Sequence, residues 1–399
     1  MRAVYLIIFL IYLSTSLIFP EIPSLFNSCP PKIGREKTLN PVRIWSKDSS
    51  KQIDSVKTKI LNTRVQIIDE ISLEDSTASS LLNLKENIYI ATINGVVYCL
   101  DHSMKTKWQY QTEGKISNSI IGTGDLVVVM TDAGDLFTIN SNNGDLVQSI
   151  GIGETINSNI IFTNIEYNGL KTKGIVFGTV EGNVYCYELY SLEQVWENTL
   201  QETNVITGTF LVDNKLIVQT EGENYNCLNV DNGVLIWKWE PKTKSDNEGF
   251  RSKVVSHGSL IFITDSDGNL YSIDLLLGTE NWNRKRIYAS GSFYNFDKDL
   301  ILHTSRNEIL VIDPGNGKTK RGIKLTDNFL NSIPTCLIKD RMQILLGFGN
   351  GFICELMEKD NIEPIIYTGN SPVISLIKLK DNSYISVDRN GKLIEFNIK

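Results

Sequence analysis

The chain has 399 residues, of which 41% are hydrophobic and 21% are charged, and its formal net charge is -7. This profile is that of a folded globular protein and excludes a disordered or fibrous chain. An acidic chain without a basic arm also lacks the positive surface that nucleic-acid binding needs, so no nucleic-acid partner is expected.

The N-terminus is predicted to direct export. Residues 1–16 begin with a positive charge, continue with an uncharged apolar run over residues 5–13, and end in the small residue Ser16. That order is typical of a cleavable signal peptide. The apolar run is also shorter than the roughly 20 residues of a membrane-spanning helix, although an uncleaved anchor is the alternative.

Residues 17–40 are predicted to be a linker, because they contain four prolines. Within this linker, Cys29 follows Ser28 in an arrangement that resembles the lipid-attachment motif of bacterial lipoproteins. We therefore predict that Cys29 carries a lipid and that this is the only attachment to a membrane. The alternative is an unmodified cysteine in a flexible tether.

A tight turn followed by a short apolar strand recurs eight times along the rest of the chain. Six of the eight turns have glycine as their second residue, which permits the left-handed backbone of a tight hairpin. The copies follow one another at intervals of about 40 residues, which is typical of a repeat protein. The second turn residues are 95, 134, 182, 223, 268, 307, 351 and 391.

Each repeat contains signals for two further strands, and the best copies contain signals for a third. An apolar strand precedes each turn, a shorter apolar segment precedes that strand, and the best copies end in an aromatic strand after a second turn. The tryptophans of these last strands are Trp108, Trp196, Trp237 and Trp282. Four short strands per repeat are typical of one propeller blade. The sequence therefore predicts an all-β, eight-bladed β-propeller of four-stranded antiparallel blades over residues 41–399.

The propeller is predicted to be closed by an N-terminal strand. The last repeat stops at Lys399, directly after its third strand, and lacks the tryptophan strand. Residues 41–46 contain Trp45 and are predicted to supply it by pairing with the strand that holds Leu393 to Phe396. A ring that joins both termini in one blade has no unprotected sheet edge. Residues 46–62 are left open as a loop or a short helix.

The cysteines of the repeats are predicted to be buried thiols. Cys99, Cys186 and Cys227 each lie four residues after the second turn residue, on different blades. A small side chain is expected at that place, and cysteine behaves there as a small hydrophobe. Disulfide bonds between equivalent places on different blades are not expected.

The repeat resembles the PQQ-type propeller repeat over residues 41–399. The copies that carry the resemblance are residues 95–101 with Trp108 and residues 268–274 with Trp282. Two functional classes share this repeat, namely quinoprotein dehydrogenases and the BamB family of outer-membrane assembly lipoproteins. The enzymes hold a quinone cofactor and Ca²⁺ beside a pair of adjacent cysteines, and the sequence contains no such pair. We therefore predict no enzymatic activity, no cofactor and no metal site, with a quinoprotein dehydrogenase as an alternative.

In size, export and closure the chain resembles the BamB family. The resemblance implies a scaffold at the periplasmic face of the outer membrane of a Gram-negative bacterium. It implies that the chain acts as a monomer within a complex and binds a BamA-type insertion protein through loops on the propeller rim. The alternative is an exported interaction module of another pathway.

The resemblance also implies which residues bind the partner. A long polar loop between Trp239 and Val254 corresponds to an acidic loop of the family, and an apolar segment lies one blade earlier. The predicted contacts are Val205, Ile206, Asp246, Glu248 and Arg251. The family has an arginine where this chain has Thr207, so Arg251 is expected to take its place. The alternative is a solvated loop without a partner.

Overall fold

The computed structural model shows β-strands and turns, without a helix, throughout the residues that it describes. These residues belong to one compact unit, 38–399, whereas the unit 1–37 lies outside the described part of the chain. The described residues are 57–77, 79–117, 119–200, 205–242, 252–296, 298–325, 332–340, 343–357, 361–380 and 382–399. None of their segments is a helix with the length and apolar content of a membrane span.

The strands form eight antiparallel sheets that follow one another along the chain as blades 1 to 8 of a propeller. The predicted eight-bladed β-propeller is therefore confirmed. Each blade begins with its innermost strand, beside the central axis, and ends with its outermost strand. The strands of a blade are joined by short hairpins, so neighbouring strands of a sheet are also neighbours in the sequence, except where strands from the N-terminal part of the chain join the sheets of blades 7 and 8.

The strand bounds repeat the same pattern in each blade. The innermost strands of blades 1 to 8 are Leu82–Leu84, Ile121–Thr123, Ile161–Tyr167, Ile206–Val212, Val255–His257, Ala289–Phe296, Pro334–Asp340 and Val373–Lys378. The second strands are Asn87–Ala91, Leu126–Met130, Leu170–Gly178, Lys215–Thr220, Leu260–Thr264, Asp299–Thr304, Gln343–Phe348 and Ser383–Asp388. The third strands are Val96–Asp101, Asp135–Asn140, Asn183–Glu188, Asn224–Asn229, Leu270–Asp274, Glu308–Ile312, Phe352–Leu356 and Lys392–Ile398. The outermost strands are Thr106–Gln111, Leu146–Gly151, Gln194–Thr199, Leu235–Trp239, Glu280–Arg284, Thr319–Lys324, Ile362–Tyr367 and, in blade 8, Val65–Ser72.

The second strands are apolar at nearly every residue because both of their faces are covered. Asn87–Ala91 of blade 1 is buried along its whole length. Its side chains alternate between the two faces of the sheet, so Tyr89 and Ala91 pack against blade 2 while Ile88 and Ile90 pack against blade 8. The core is thus divided among the spaces between blades, and burial of each large apolar side chain contributes roughly 1.5–3 kcal/mol.

The tryptophans of the sequence repeat link four pairs of neighbouring blades by hydrogen bonds. In blade 3 the indole nitrogen of Trp196 donates a hydrogen bond of 3.0 Å to the carbonyl of Val230 in blade 4. The indole lies directly over Gly233, where an added Cβ would come within 2.5 Å of the ring. Trp108, Trp237 and Trp282 make the equivalent hydrogen bond to the next blade. Glycine is therefore required in this second turn because the neighbouring indole occupies the space of a side chain.

An N-terminal strand closes blade 8, but it is not the strand that the sequence predicted. Val65–Ser72 pairs antiparallel with Lys392–Ile398, from Val65 opposite Ile398 to Ser72 opposite Lys392. The prediction that residues 41–46 pair with Leu393 to Phe396 is therefore wrong. Residues 41–46 themselves lie outside the described residues.

The closing strand was missed because it has no tryptophan. In blade 1 the third-strand residue Cys99 lies opposite Trp108, whereas the corresponding residue of blade 8, Glu395, lies opposite Asp69. Trp45, the marker in the wrong strand, belongs to the part of the chain that is not described. A repeat defined by tryptophan does not include Val65–Ser72, although Val65, Ile67 and Ile71 stand at alternate positions as in a strand.

Part of residues 46–62, which the sequence did not assign to a loop or a helix, adds a fifth strand to blade 7. Lys59–Ile60 pairs with the outermost strand of that blade, with Lys59 opposite Tyr367 and Ile60 opposite Ile366. The chain therefore passes along the edge of blade 7 before it enters blade 8. Arg64, between the two strands, donates a hydrogen bond of 2.6 Å to Glu355 of blade 7.

The structure confirms that the five cysteines of the repeats are free thiols. Cys99, Cys186, Cys227 and Cys354 are buried, and Cys336 is partly buried. The first three lie opposite a tryptophan of the outermost strand, so the small side chain leaves room for the indole. Burial raises the pKa of the Cys99 thiol to about 11, which keeps it protonated and unreactive at neutral pH.

Candidate functional site

Val205 and the turns next to it in the fold belong to one end of the propeller, which we call the connection face. It carries the eight turns between the second and third strands together with the connections from each blade to the next. Both kinds of segment lie at the same end because successive strands run in opposite directions. The turns between the first and second strands and those between the third and fourth strands lie at the opposite end.

The apolar part of the predicted contact lies at the junction of blades 3 and 4. Val205 is half-buried in the connection, and its carbonyl accepts a hydrogen bond of 2.9 Å from the Glu221 amide. Ile206 begins the innermost strand of blade 4, and its side chain is fully buried against Gly178 of blade 3. Ile206 is therefore a core residue, and its assignment as a contact residue is wrong because no part of it reaches the surface.

The polar part of the predicted contact falls mostly outside the described residues. Asp246, Glu248 and Arg251 lie there, as does Cys29, and all four stay predictions. Thr207, at the place of the family arginine, is buried and donates a hydrogen bond of 3.4 Å to the carbonyl of Gln219. Its hydrogen bond links the first and second strands of blade 4, and its side chain does not reach the surface.

Three carboxylates form an acidic arc on the connection face. Glu181, Glu221 and Asp267 are exposed, and each belongs to the turn before the third strand in blade 3, 4 or 5. The described ends of the predicted loop, Lys242 and Ser252, belong to the connection between blades 4 and 5 on the same face. A surface with this charge favours a partner with a basic surface and increases the rate at which it associates.

Glu223 adds a buried carboxylate beneath this arc. Its Oε1 accepts a hydrogen bond of 2.7 Å from the Ser266 amide of blade 5, whereas its Oε2 is buried without a hydrogen-bond partner in the described structure. Burial raises the pKa of the Glu223 carboxyl, and the negative charges of Asp265 and Asp267 act in the same direction. The hydrogen bonds from Ser266 oppose that shift.

Glu223 was not singled out from the sequence, although a signal for it exists. It occupies the second turn position, where six of the eight repeats have glycine, and its φ of 61° is left-handed. A glutamate accepts that backbone at a cost of roughly 1–2 kcal/mol. The substitution of a buried acid for glycine marks this turn as different from the equivalent turns of the other blades.

The acidic segment around Asp265 resembles a calcium loop in sequence only. One oxygen of the Asp265 carboxylate accepts a hydrogen bond of 2.8 Å from the Asn269 amide, and the other accepts bonds of 2.7 Å from the Asn269 side chain and the Tyr271 hydroxyl. These bonds complete the turn. Within the described ranges, no group of three or more His, Cys, Asp or Glu side chains could hold a metal ion.

The two comparisons of sequence with known proteins agree on one family. A sequence model of the family described as "Outer membrane protein assembly factor BamB" matches residues 45–167 and 163–292. The outer membrane protein assembly factor BamB of Shewanella oneidensis is 21% identical over 320 residues, which cover 76% of this chain and 74% of that relative.

Solved structures show the same fold. The crystal structure of BamB from Moraxella catarrhalis superposes with a TM-score of 0.67 at 13% identity and covers 84% of this chain and 99% of that chain. A quinohemoprotein alcohol dehydrogenase, ADHIIG from Pseudomonas putida HK5, gives a TM-score of 0.66 at 10% identity and covers 84% of this chain and 76% of the enzyme. Both functional classes of the PQQ-type repeat thus share this architecture, and the fold alone does not choose between them.

Proposed function

Because the chain belongs to the family of the outer membrane protein assembly factor BamB, we propose that it is a non-catalytic scaffold in the assembly of outer-membrane β-barrel proteins. It acts at the periplasmic face of the outer membrane of a Gram-negative bacterium, to which a lipid on Cys29 attaches it. Its partner is a BamA-type insertion protein, and it works as a monomer within that complex.

The acidic arc on the connection face carries the proposal. Glu181, Glu221 and Asp267 repeat at the same turn of three consecutive blades, and the Glu221 amide donates a hydrogen bond to the carbonyl of the half-buried Val205. An apolar centre with a charged border is the usual composition of a protein–protein contact. Val205 and the predicted loop residues Asp246, Glu248 and Arg251 belong to the same contact, with the loop supplying two more acids.

The experiment measures binding of the purified chain to the periplasmic domains of the BamA-type protein from the same organism. The variant carries Glu221→Lys with Asp267→Lys, and the matched control carries Glu166→Lys with Asp231→Lys. The control acids are exposed at the opposite end of the propeller, so the two variants have the same net charge. We expect the arc variant to bind at least about tenfold more weakly, mainly through slower association, and the control to bind like the wild type.

The result depends on which surface the partner contacts. Equal loss in both variants would show that only the net charge matters, and an unchanged affinity of the arc variant would place the interface elsewhere. Melting curves of both variants separate a lost contact from lost structure. No binding by the wild-type chain to the BamA-type domains would contradict the proposed function itself.

A further inference from the structure

A cavity of about 500 Å³ opens among the innermost strands near the central axis. It is separate from the acidic arc, since its walls come from the first strands of blades 4 to 7 and from Asn159 before blade 3. Apolar side chains of Phe210, Val255 and Leu337 form much of its lining. Its volume falls within the roughly 300–1,000 Å³ of small-molecule sites.

One charged side chain, Lys253, lies in the described lining of this cavity. Its Nζ is 4.0 Å from the centroid of the Tyr294 ring, so the ring face covers one side of the ammonium group. Among the described residues no carboxylate forms an ion pair with Lys253. Lys253 is half-buried, and a cation–π contact recovers only part of the hydration that its ammonium group loses.

The surroundings of Lys253 also disfavour its positive charge when no counter-charge is present. Burial lowers the pKa of its ammonium group, while the Cys336 thiol nearby acts in the opposite direction. An anion in the cavity would restore the missing counter-charge in a place where water is partly excluded. A single ammonium group beside apolar walls suits one carboxylate on an apolar body better than a multiply charged phosphate, which is usually held by several donors.

We propose that the central cavity binds a small organic carboxylate, with its anionic group on Lys253 and its apolar body against Phe210, Val255 and Leu337. The inner strands around it are held together by hydrogen bonds between blades, which give the site a preformed shape. The Thr209 hydroxyl donates to the Asn159 carbonyl at 2.5 Å, and the Asn295 side chain donates to the Ser256 carbonyl at 2.7 Å. The ligand therefore enters a site that needs little rearrangement.

The test uses calorimetric titration of the full chain with two carboxylates, benzoate and octanoate. Each is paired with a neutral relative of similar shape, benzamide or octanol. We expect saturable binding of at least one carboxylate and at least about tenfold weaker binding of its neutral relative, since a charge-assisted contact is lost. Lys253→Met should remove this preference and Lys253→Arg should keep it.

Two controls accompany these variants. Lys171→Met removes an exposed lysine outside the cavity and should bind like the wild type. A melting curve of Lys253→Met checks that the fold is intact. Absence of binding by both carboxylates, or equal affinity of the wild type and Lys253→Met, would overturn the proposal. Binding that appears only when Asp246→Ala and Glu248→Ala are combined would also overturn it, because the chain's own loop would then supply the counter-charge.

Discussion

At the scale of single residues, Glu223 combines a strained backbone with a buried charge. Its φ of 61° is left-handed, and its side chain is 4% exposed with one carboxylate oxygen unpartnered in the described structure. The hydrogen bond to the Ser266 amide links blade 4 to blade 5 at the acidic arc. Such a residue lowers stability, and it persists where the rest of the fold holds it in place.

We predict that Glu223→Gln stabilises the protein at neutral pH. Glutamine keeps an oxygen to accept the Ser266 hydrogen bond and removes the buried negative charge. Since burial raises the pKa of Glu223 in the folded state, the ionised form costs stability above that pKa. Urea unfolding at pH 7.5 should show a gain of about 1 kcal/mol, the lower end of the cost of an unsatisfied buried group.

The sign of the pH dependence provides the check. As the pH falls through the raised pKa, wild-type Glu223 takes up a proton in the folded state and the cost disappears. The advantage of Glu223→Gln should therefore shrink as the pH is lowered to about 4, near the pKa of an unfolded glutamate. Exposed Glu221→Gln should have no effect on stability at either pH, and a constant advantage of Glu223→Gln would contradict the electrostatic cause.

Residue-scale features of the site were only partly predictable from the sequence. The segment around Ile206 contains β-branched and apolar residues, which fit both a surface patch and the start of an inner strand. Only the packing against Gly178 decides that Ile206 is buried. Lys253 could not be predicted for a similar reason. A lysine before an apolar strand is common, and only the arrangement of the blades shows that Lys253 lines the central cavity.

At the scale of elements, each tryptophan strand depends on a glycine in the next blade. We predict that Gly233→Ala destabilises the protein more than Gly169→Ala. Both glycines have left-handed backbones, with φ of 69° and 76°, so both variants carry a similar strain. An added Cβ at Gly233 would lie 2.5 Å from the Trp196 ring, whereas at Gly169 nothing lies within 4 Å.

The difference between the two alanine variants isolates the packing of the indole. Overpacking of this kind costs about 1–3 kcal/mol beyond the shared strain, and denaturant unfolding measures it. The Trp196 fluorescence should also change in Gly233→Ala alone, because its ring must shift. Equal destabilisation of both variants would show that the backbone, and not the tryptophan contact, requires glycine at residue 233.

The tryptophan strands also explain which elements were predictable. Where Trp108, Trp196, Trp237 and Trp282 stand, the repeat fixes four strands per blade from the sequence alone. The remaining blades show signals for three strands each, and these gave the correct number of blades because the tight turn with a left-handed second residue and the apolar third strand recur there as well. The closing strand could not be identified by the same marker, since Asp69 replaces the tryptophan and pairing with the distant C-terminal strand is a property of the whole ring.

At the scale of the whole molecule, ring closure follows from how the blades are buried. Every described sheet has apolar side chains on two faces, so each blade needs a neighbour on both sides. Blade 8 combines the last three strands of the chain with Val65–Ser72 and lies between blades 7 and 1. The first and last blades are therefore held together by hydrogen bonds between the two ends of the propeller sequence as well as by side-chain packing.

We predict that deleting residues 65–72 destabilises the propeller far more than deleting residues 57–61. The first deletion exposes the edge of Lys392–Ile398 and removes Val65, which is 6% exposed and packs in the core between blades 7 and 8. The second removes only Lys59–Ile60 from the edge of blade 7, where Ile60 is 49% exposed. Denaturant unfolding should show a loss of more than about 3 kcal/mol for the first deletion, from lost burial alone, and about 1 kcal/mol or less for the second.

Size-exclusion chromatography should show self-association of the first variant, because an uncovered strand edge pairs with another chain. If both deletions leave the protein equally stable and monomeric, the propeller does not depend on Val65–Ser72 for closure.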